Sequence, residues 1–118
     1  MKIAVTATGS DPKNDVEPRF GRAPWFLFYD MESGAWEAAD NSGNTGMAHG
    51  AGLQTAETVA RKGATAVITG HCGPKAMEAL AAAGVRVYLG DARTAEEAVK
   101  AFQAGQLREI SEPNGPRR

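Results

Sequence analysis

The residues best suited to chemistry in this sequence are the adjacent His71 and Cys72, which lie between Gly70 and Gly73. Cys72 is the single cysteine, and His71 is one of two histidines. A helix is predicted to begin at Pro74, and a thiol just before a helix N-terminus has a lowered pKa that favours the thiolate. Such a thiolate could bind a soft metal or act as a nucleophile. The alternative is a small buried cysteine in a tight turn.

A second group of candidates lies in the glycine-rich stretch 43–52, "GNTGMAHGAG". Its glycines are Gly43, Gly46, Gly50 and Gly52. Exposed backbone N–H groups before a helix N-terminus suit an anion. The stretch has neither the Gly-Lys-Ser/Thr ending of a phosphate-binding P-loop nor the third glycine of a dinucleotide fingerprint. Met47 and His49 add a thioether and an imidazole. The alternative for these two side chains is a hydrophobic plug and a solvated histidine.

A third group consists of Arg19 and Arg22, which flank Phe20-Gly21 in a loop stiffened by Pro18 and Pro24. Two fixed guanidinium groups could clamp an anion. Alternatively, the arginines pair with nearby acids, namely Asp15, Glu17 or the C-terminal carboxylates.

The number of possible metal ligands limits the kind of metal site that this chain can form. An iron–sulfur cluster assembled on one chain needs about four cysteines, and a structural zinc site needs four N or S ligands. One cysteine and two histidines supply neither, but they could anchor a preformed cluster that brings its own sulfides. His71 is a poor base for Cys72 because neighbouring side chains diverge. Asp30 and Asp91 have no evident carboxylate partner, so the sequence favours a protein without catalytic activity.

Composition limits the class of protein. The 118 residues have a net charge of −1 and no basic stripe, so a nucleic-acid partner is not expected. A single cysteine excludes an intrachain disulfide. The N-terminal apolar run is too short for a signal peptide, and no segment is long enough to span a membrane. We therefore expect a cytoplasmic protein without a membrane partner.

The elements follow the order β-β-β-α-β-α-β-α. Strands are predicted over 2–8, 25–31, 35–40, 64–70 and 85–90, with the second and third forming a hairpin. The first predicted helix follows the glycine-rich stretch, ends at Gly63, and places one apolar face inward: Leu53, Ala56, Val59 and Ala60. Further helices run from Pro74 to about Ala83 and from a Thr94–Glu97 capping box to Gly105. Residues 106–118 are expected to form a flexible tail to a single domain over 1–105.

This order predicts a three-layer α/β fold with a mixed sheet of about five strands. Ligands of such sheets bind beyond the carboxyl ends of the parallel strands. Both the glycine-rich stretch and the turn at 69–74 are expected at that edge.

Taken together, these segments resemble the dinitrogenase iron–molybdenum cofactor biosynthesis family, which includes NifX-like proteins, NifB C-terminal domains and orange-protein-like proteins. The resemblance covers residues 1 to about 105 and is carried by "VEPRFGRAPWFLFYD", "HGAGLQTAETVARKGATAVITG" and "CGPKAMEALAAAGVRVYLG" in this order. It implies a ribonuclease-H-like fold without nuclease activity. It also implies binding, transport or storage of a preformed metal–sulfur cluster, either an iron–molybdenum cofactor precursor or a molybdenum–copper sulfide.

The resemblance implies a cluster site made from all three groups of candidates. Metal ligation is expected from His49, His71 or Cys72, and cofactor contacts from Arg19, Arg22, Gly46, Met47, Gly50, Gly52, Gly70 and Gly73. Cluster donor or acceptor proteins are the expected partners, with the chain a monomer or homodimer. Two alternatives stay open: a metal-free module that binds a small anion or a protein, and a cysteine-dependent enzyme.

Overall fold

The computed structural model describes residues 1–41 and 51–112, which form a three-layer α/β fold around one mixed sheet. The strands are β1 (Lys2–Ala7), β2 (Trp25–Asp30), β3 (Trp36–Asp40), β4 (Ala66–Thr69), β5 (Arg86–Leu89) and β6 (Arg108–Ile110). The helices are α1 (Ala51–Arg61), α2 (Pro74–Ala82) and α3 (Ala95–Gln103), with a short 3-10 turn at Phe20–Arg22. The sheet order is β3-β2-β1-β4-β5-β6.

The hairpin of β2 and β3 forms as predicted. Trp25 pairs with Asp40 at one end and Tyr29 with Trp36 at the other. The connecting turn is stabilised by Asp30, whose carboxylate accepts hydrogen bonds from the N–H groups of Glu32 at 2.9 Å and Ser33 at 3.4 Å. These bonds lower the pKa of Asp30 below its usual value.

The central strands β1, β4 and β5 run parallel to one another. Their carboxyl ends, at Ala7, Thr69 and Leu89, therefore lie at the same edge of the sheet. The register of the antiparallel pairs brings the start of β2 and the end of β3 to this edge as well. We call this edge the rim, and it is where the turn 70–73 leaves β4.

Apolar side chains form one cluster on each face of the sheet. Because the strands are covered on both faces, their sequences are short continuous runs of apolar residues. On one face, α1 and α2 cover Ala4, Phe26, Phe28, Val67 and Val87. On the other, α3 covers Ile3, Val5, Leu27, Ala66 and Ile68. The predicted three layers are confirmed.

The structure differs from the sequence prediction at three places. Residues Arg108–Ile110, assigned to the tail, pair antiparallel with β5 and add a sixth strand. Helix α1 already includes Gly52, which the prediction placed in the preceding loop. Leu53, predicted to face inward, is 40% exposed, whereas Ala56 and Val59 are buried as expected. The inward face of α1 also includes the buried Thr55, so the apolar period alone misassigned Leu53.

No helix among the described residues combines the length and apolar character needed to cross a membrane.

Candidate functional site

The rim carries a short extended segment, residues 17–20, that lies between the ends of β1 and β4. On one side, the N–H of Glu17 donates to the carbonyl of Thr6 at 2.8 Å. On the other, the N–H of Phe20 donates to the carbonyl of His71 at 2.9 Å, and the N–H of His71 donates to the carbonyl of Pro18. The segment is thus hydrogen-bonded on both sides, which fixes the arginine-bearing loop to the turn that contains His71.

A buried pair of threonine hydroxyls anchors this segment from below. The Oγ1 atoms of Thr6 and Thr69 are 2.9 Å apart, and Thr6 Oγ1 also donates to the carbonyl of Glu17 at 2.7 Å. Both threonines are fully buried at the ends of their strands. Burying a hydroxyl is costly unless it is hydrogen-bonded. The bond from Thr6 Oγ1 to the carbonyl of Glu17 therefore fixes the backbone of Glu17 at this position. Sequence reasoning missed the threonine pair, although a polar residue at the end of two apolar strands was a visible signal.

Arg19 and His71 lie side by side in a parallel β-bridge at the rim. Neighbouring residues of a bridge project their side chains from the same face. Both residues are exposed, and the Arg19 side chain has 65% of its surface accessible. The fold therefore brings together a guanidinium and an imidazole from two of the three predicted groups.

Glu17 lies next to this pair. Its Oε2 accepts a hydrogen bond from the N–H of Arg19 at 3.1 Å and lies 3.7 Å from Arg19 Nε. The alternative interpretation, in which the arginines pair with nearby acids, thus holds for Arg19. Since Arg19 is largely exposed, the pair contributes little to stability, and its guanidinium can still meet a ligand.

Arg22 ends the 3-10 turn, and Asn41 hydrogen-bonds to the two residues that follow it, Ala23 and Pro24. The Nδ2 of Asn41 donates to the carbonyl of Ala23 at 2.8 Å and lies 3.4 Å from Thr55 Oγ1. Its N–H donates to the carbonyl of Pro24 at 2.8 Å. Asn41 is 4% exposed and was not predicted to matter. It connects the arginine loop, the end of β3 and helix α1.

The two glycines that flank the His71-Cys72 pair differ in their surroundings. A Cβ atom added at Gly70 would lie 2.6 Å from the carbonyl oxygen of Pro18, so a glycine is needed for the close approach of the arginine loop. Among residues 1–41 and 51–112, no atom lies within 4 Å of a Cβ at Gly73, which is the N-cap of α2.

The prediction of a lowered thiol pKa for Cys72 is wrong. Cys72 is fully buried in the same cluster as Phe20 and Met77, and burial raises its pKa from 9.0 to about 12. That change corresponds to about 4 kcal/mol in favour of the neutral thiol. A helix N-terminus stabilises a nearby anion by at most ~2 kcal/mol, so desolvation dominates. Cys72 lies beneath the rim, whereas His71 next to it is exposed.

Several predicted site residues lie outside the described part of the chain: Gly46, Met47, His49 and Gly50. Asn41 and Ala51, which bracket this segment, are respectively at the end of β3 and in the first turn of α1. Within 1–41 and 51–112, no group of three or more His, Cys, Asp or Glu residues is suited to a metal ion.

The two candidate strand-end acids do not meet. Asp30 pairs with Lys2 at the start of β1. Asp91 follows the end of β5, where its Cβ would lie 3.2 Å from a Cβ at Gly70. Since β1 and β5 are parallel, the two carboxylates lie at opposite ends of the sheet and cannot act as a catalytic pair.

A comparison with protein families identifies the family of this chain. A family model described as dinitrogenase iron–molybdenum cofactor matches residues 1–105. The chain belongs to this family. The matched residues include the arginine loop, the His71-Cys72 turn and all three helices.

Three other proteins are similar to nearly the whole chain. The structure of the apo form of the orange protein from Desulfovibrio gigas superposes with a TM-score of 0.94 at 41% identity, over 97% of this chain and 96% of that one. A Thermotoga protein with a provisional NifB assignment, placed in the DUF35 family, gives a TM-score of 0.86 at 36% identity, over 97% of both chains. An uncharacterized protein of Methanocaldococcus jannaschii is 33% identical over 91% of this chain and 89% of its own length.

Proposed function

We propose that this protein binds, carries or stores a preformed anionic metal–sulfur cluster at the rim and performs no catalysis on it. The cluster is of the iron–molybdenum cofactor precursor or molybdenum–copper sulfide type. The observation that carries the proposal is the pairing of Arg19 with His71 on one exposed face, with Arg22 in the same loop. Family membership and the similarity to the apo orange protein support it.

Each part of the rim has a chemical role in this proposal. The guanidinium groups of Arg19 and Arg22 supply positive charge and hydrogen-bond donors to sulfide or oxo ligands of the cargo. His71 supplies an exposed imidazole, which suits copper or iron. No described residue has an atom within 4 Å of a Cβ at Gly73, which favours the approach of an anion to the start of α2, where the helix dipole is favourable. His49 and the glycines before α1 remain predicted contributors to cluster binding.

Cys72 has a different role in this proposal from His71. A fully buried thiol with a pKa of about 12 is neutral near pH 7, whereas metal ligation needs the thiolate. We therefore assign Cys72 to the floor of the site, where it packs beneath the turn. The same observation disfavours a cysteine-dependent enzyme, because the nucleophile would be both inaccessible and protonated.

The test is an anaerobic titration of the purified protein with tetrathiomolybdate plus copper, and separately with iron–molybdenum cofactor. We expect a saturable visible absorption band with a defined stoichiometry in at least one titration. His71→Ala should weaken binding or change the band, whereas Cys72→Ala should leave the band intact. The absence of a band in both titrations would reject the proposal and favour the metal-free module.

The metal content of freshly isolated protein separates the alternatives independently. The cluster proposal predicts molybdenum, iron or copper together with acid-labile sulfide. The metal-free module predicts neither. Arg86→Gln, which removes an exposed arginine paired with Glu109 near the edge strand β6, serves as a charge control for the arginine variants.

A further inference from the structure

The carboxylate of Glu17 is held in place beside the anion-binding face of the rim. Its backbone is fixed by Thr6, which accepts from the N–H of Glu17 at 2.8 Å and donates to its carbonyl at 2.7 Å. Its side chain is fixed by the N–H of Arg19, which donates to Oε2 at 3.1 Å. Only 13% of the Glu17 side chain is exposed. The Glu17 carboxylate is therefore positioned beside Arg19 before any ligand arrives.

A fixed negative charge next to a cationic site opposes an anionic ligand. The Glu17 carboxylate lies 3.7 Å from Arg19 Nε, so an anion bound by the guanidinium must share its positive charge with Glu17. Glu17 thereby offsets much of the positive charge that Arg19 presents to the ligand. At a largely exposed site, removing one charge changes anion affinity by about three- to tenfold.

We infer that Glu17 sets the affinity of the rim, so that an anionic cluster binds in exchangeable form and can be released to an acceptor. The inference rests on the proposed function and concerns a question left open by the family match, namely delivery versus permanent storage. A storage site would bind its anionic cluster most tightly if its positive charge were as large as possible. In a carrier, a carboxylate that accepts from the N–H of Arg19 has two effects. It orients Arg19, and its negative charge limits the affinity of the site for the anionic cluster.

The experiment compares the wild type with three variants, using tetrathiomolybdate as the probe under anaerobic conditions. Glu17→Gln removes the charge and retains an oxygen that can accept from the N–H of Arg19. Glu17→Asp retains the charge with a shorter side chain. Glu32→Gln makes the same charge change in the β2–β3 turn, at the opposite end of the sheet, where Glu32 lies 3.6 Å from the N-terminal amine and its side chain is 88% exposed.

We expect Glu17→Gln to lower the dissociation constant and the dissociation rate constant about three- to tenfold in low salt. This increase in affinity should become smaller as the ionic strength rises. A purely structural effect of the substitution would not depend on ionic strength in this way. Glu17→Asp and Glu32→Gln should stay within about twofold of the wild type.

Two results would contradict the inference while leaving the proposed function in place. One is wild-type binding that Glu17→Gln leaves unchanged or weakens. The other is an equal gain in Glu17→Asp, which would assign the effect to side-chain geometry rather than charge. If neither the wild type nor Glu17→Gln binds the probe or iron–molybdenum cofactor, the proposed function fails and the inference fails with it.

Discussion

Arg19 and His71 occupy paired positions of a parallel β-bridge, with the backbone of His71 hydrogen-bonded to both Pro18 and Phe20. A loop arginine and a turn histidine, distant in sequence, thereby share one exposed face. This contact depends on the absence of a side chain at Gly70, where the carbonyl of Pro18 comes close.

The arginines should determine the affinity of the rim for multiply charged anions. We expect Arg19→Gln and Arg22→Gln each to weaken tetrathiomolybdate binding about three- to tenfold, because each removes one positive charge from an exposed site. The effect should decrease in high salt. Binding is measured by anaerobic absorbance titration, with Arg86→Gln as the control. Equal losses in all three variants would indicate a non-specific charge effect.

Gly70 should be intolerant of a side chain. Gly70→Ala forces a Cβ to within 2.6 Å of a backbone oxygen that cannot rotate away. We expect a loss of about 1–3 kcal/mol in the free energy of unfolding, measured by urea denaturation, together with changed amide resonances over 17–20.

Gly73→Ala is the matched control for this substitution. A Cβ there meets no atom of the described part of the chain within 4 Å, and the backbone has φ −74°. Its cost should stay below ~1 kcal/mol, the range for a changed N-cap residue. Similar losses at both glycines would contradict the close approach of Pro18 to Gly70.

Burial of Cys72 should make stability depend on alkaline pH. The folded-state pKa of about 12 exceeds the ordinary value of 9.0, so the unfolded chain releases the thiol proton first. The stabilisation is complete below pH 9 and is lost between about pH 9 and 12 as pH rises, with a slope approaching ~1.4 kcal/mol per pH unit.

Cys72→Ala should remove this part of the pH dependence, at the cost of a small cavity at every pH. Urea midpoints from pH 8 to 10.5 would measure the difference between the two proteins. Rapid alkylation of native Cys72 by iodoacetamide at neutral pH would contradict the buried placement, because a reactive thiol must be both accessible and ionised.

The capping box of α3 should contribute at neutral pH and less in acid. Thr94 Oγ1 accepts from the N–H of Glu97 at 3.2 Å, and the N–H of Thr94 donates to the Glu97 carboxylate at 2.9 Å. That second bond lowers the pKa of Glu97. The carboxylate therefore stabilises the fold above the ordinary value of 4.5, and this contribution is lost as the pH falls below it.

Thr94→Ala removes the hydroxyl but keeps the N–H that donates to Glu97, and it should cost about 1 kcal/mol at pH 7. Glu97→Ala removes the accepting carboxylate and should flatten the acid dependence of stability. Thermal or urea unfolding between pH 3 and 7 provides the measurement. Thr65→Ala, at an exposed position before β4, is the control. If the cost of Glu97→Ala were the same at pH 3 as at pH 7, the contribution of the Glu97 carboxylate would be absent.

Local patterns were sufficient for most of the secondary structure. The helix ends at Gly63, Gly84 and Gly105 have positive φ, as expected where a helix must reverse and only glycine does so without strain. The capping box and the β2–β3 hairpin were likewise readable, since each depends on residues a few positions apart. The strand β6 was missed because three residues with two charges carry too short a pattern.

Burial and exposure at single positions were less predictable. Leu53 fits the apolar period of α1, yet it is exposed because the buried face of the helix includes Thr55. Asn41 looked like the start of a polar loop, yet its side chain connects Ala23 and Thr55. Periodicity identifies an average face of a helix, but packing against distant segments decides which side chain is covered.

The sequence by itself determined the three-layer α/β fold, and it predicted a ligand site at the rim from two arginines, an imidazole and glycines. Only the tertiary structure decided how the described residues among these are arranged. It placed Arg19 beside His71, fixed Glu17 against Arg19, and buried Cys72 so deeply that desolvation outweighs the helix dipole. The physical reason is that hydrogen bonding between distant segments and exclusion of water depend on the packed fold, whereas residue spacing describes only local geometry.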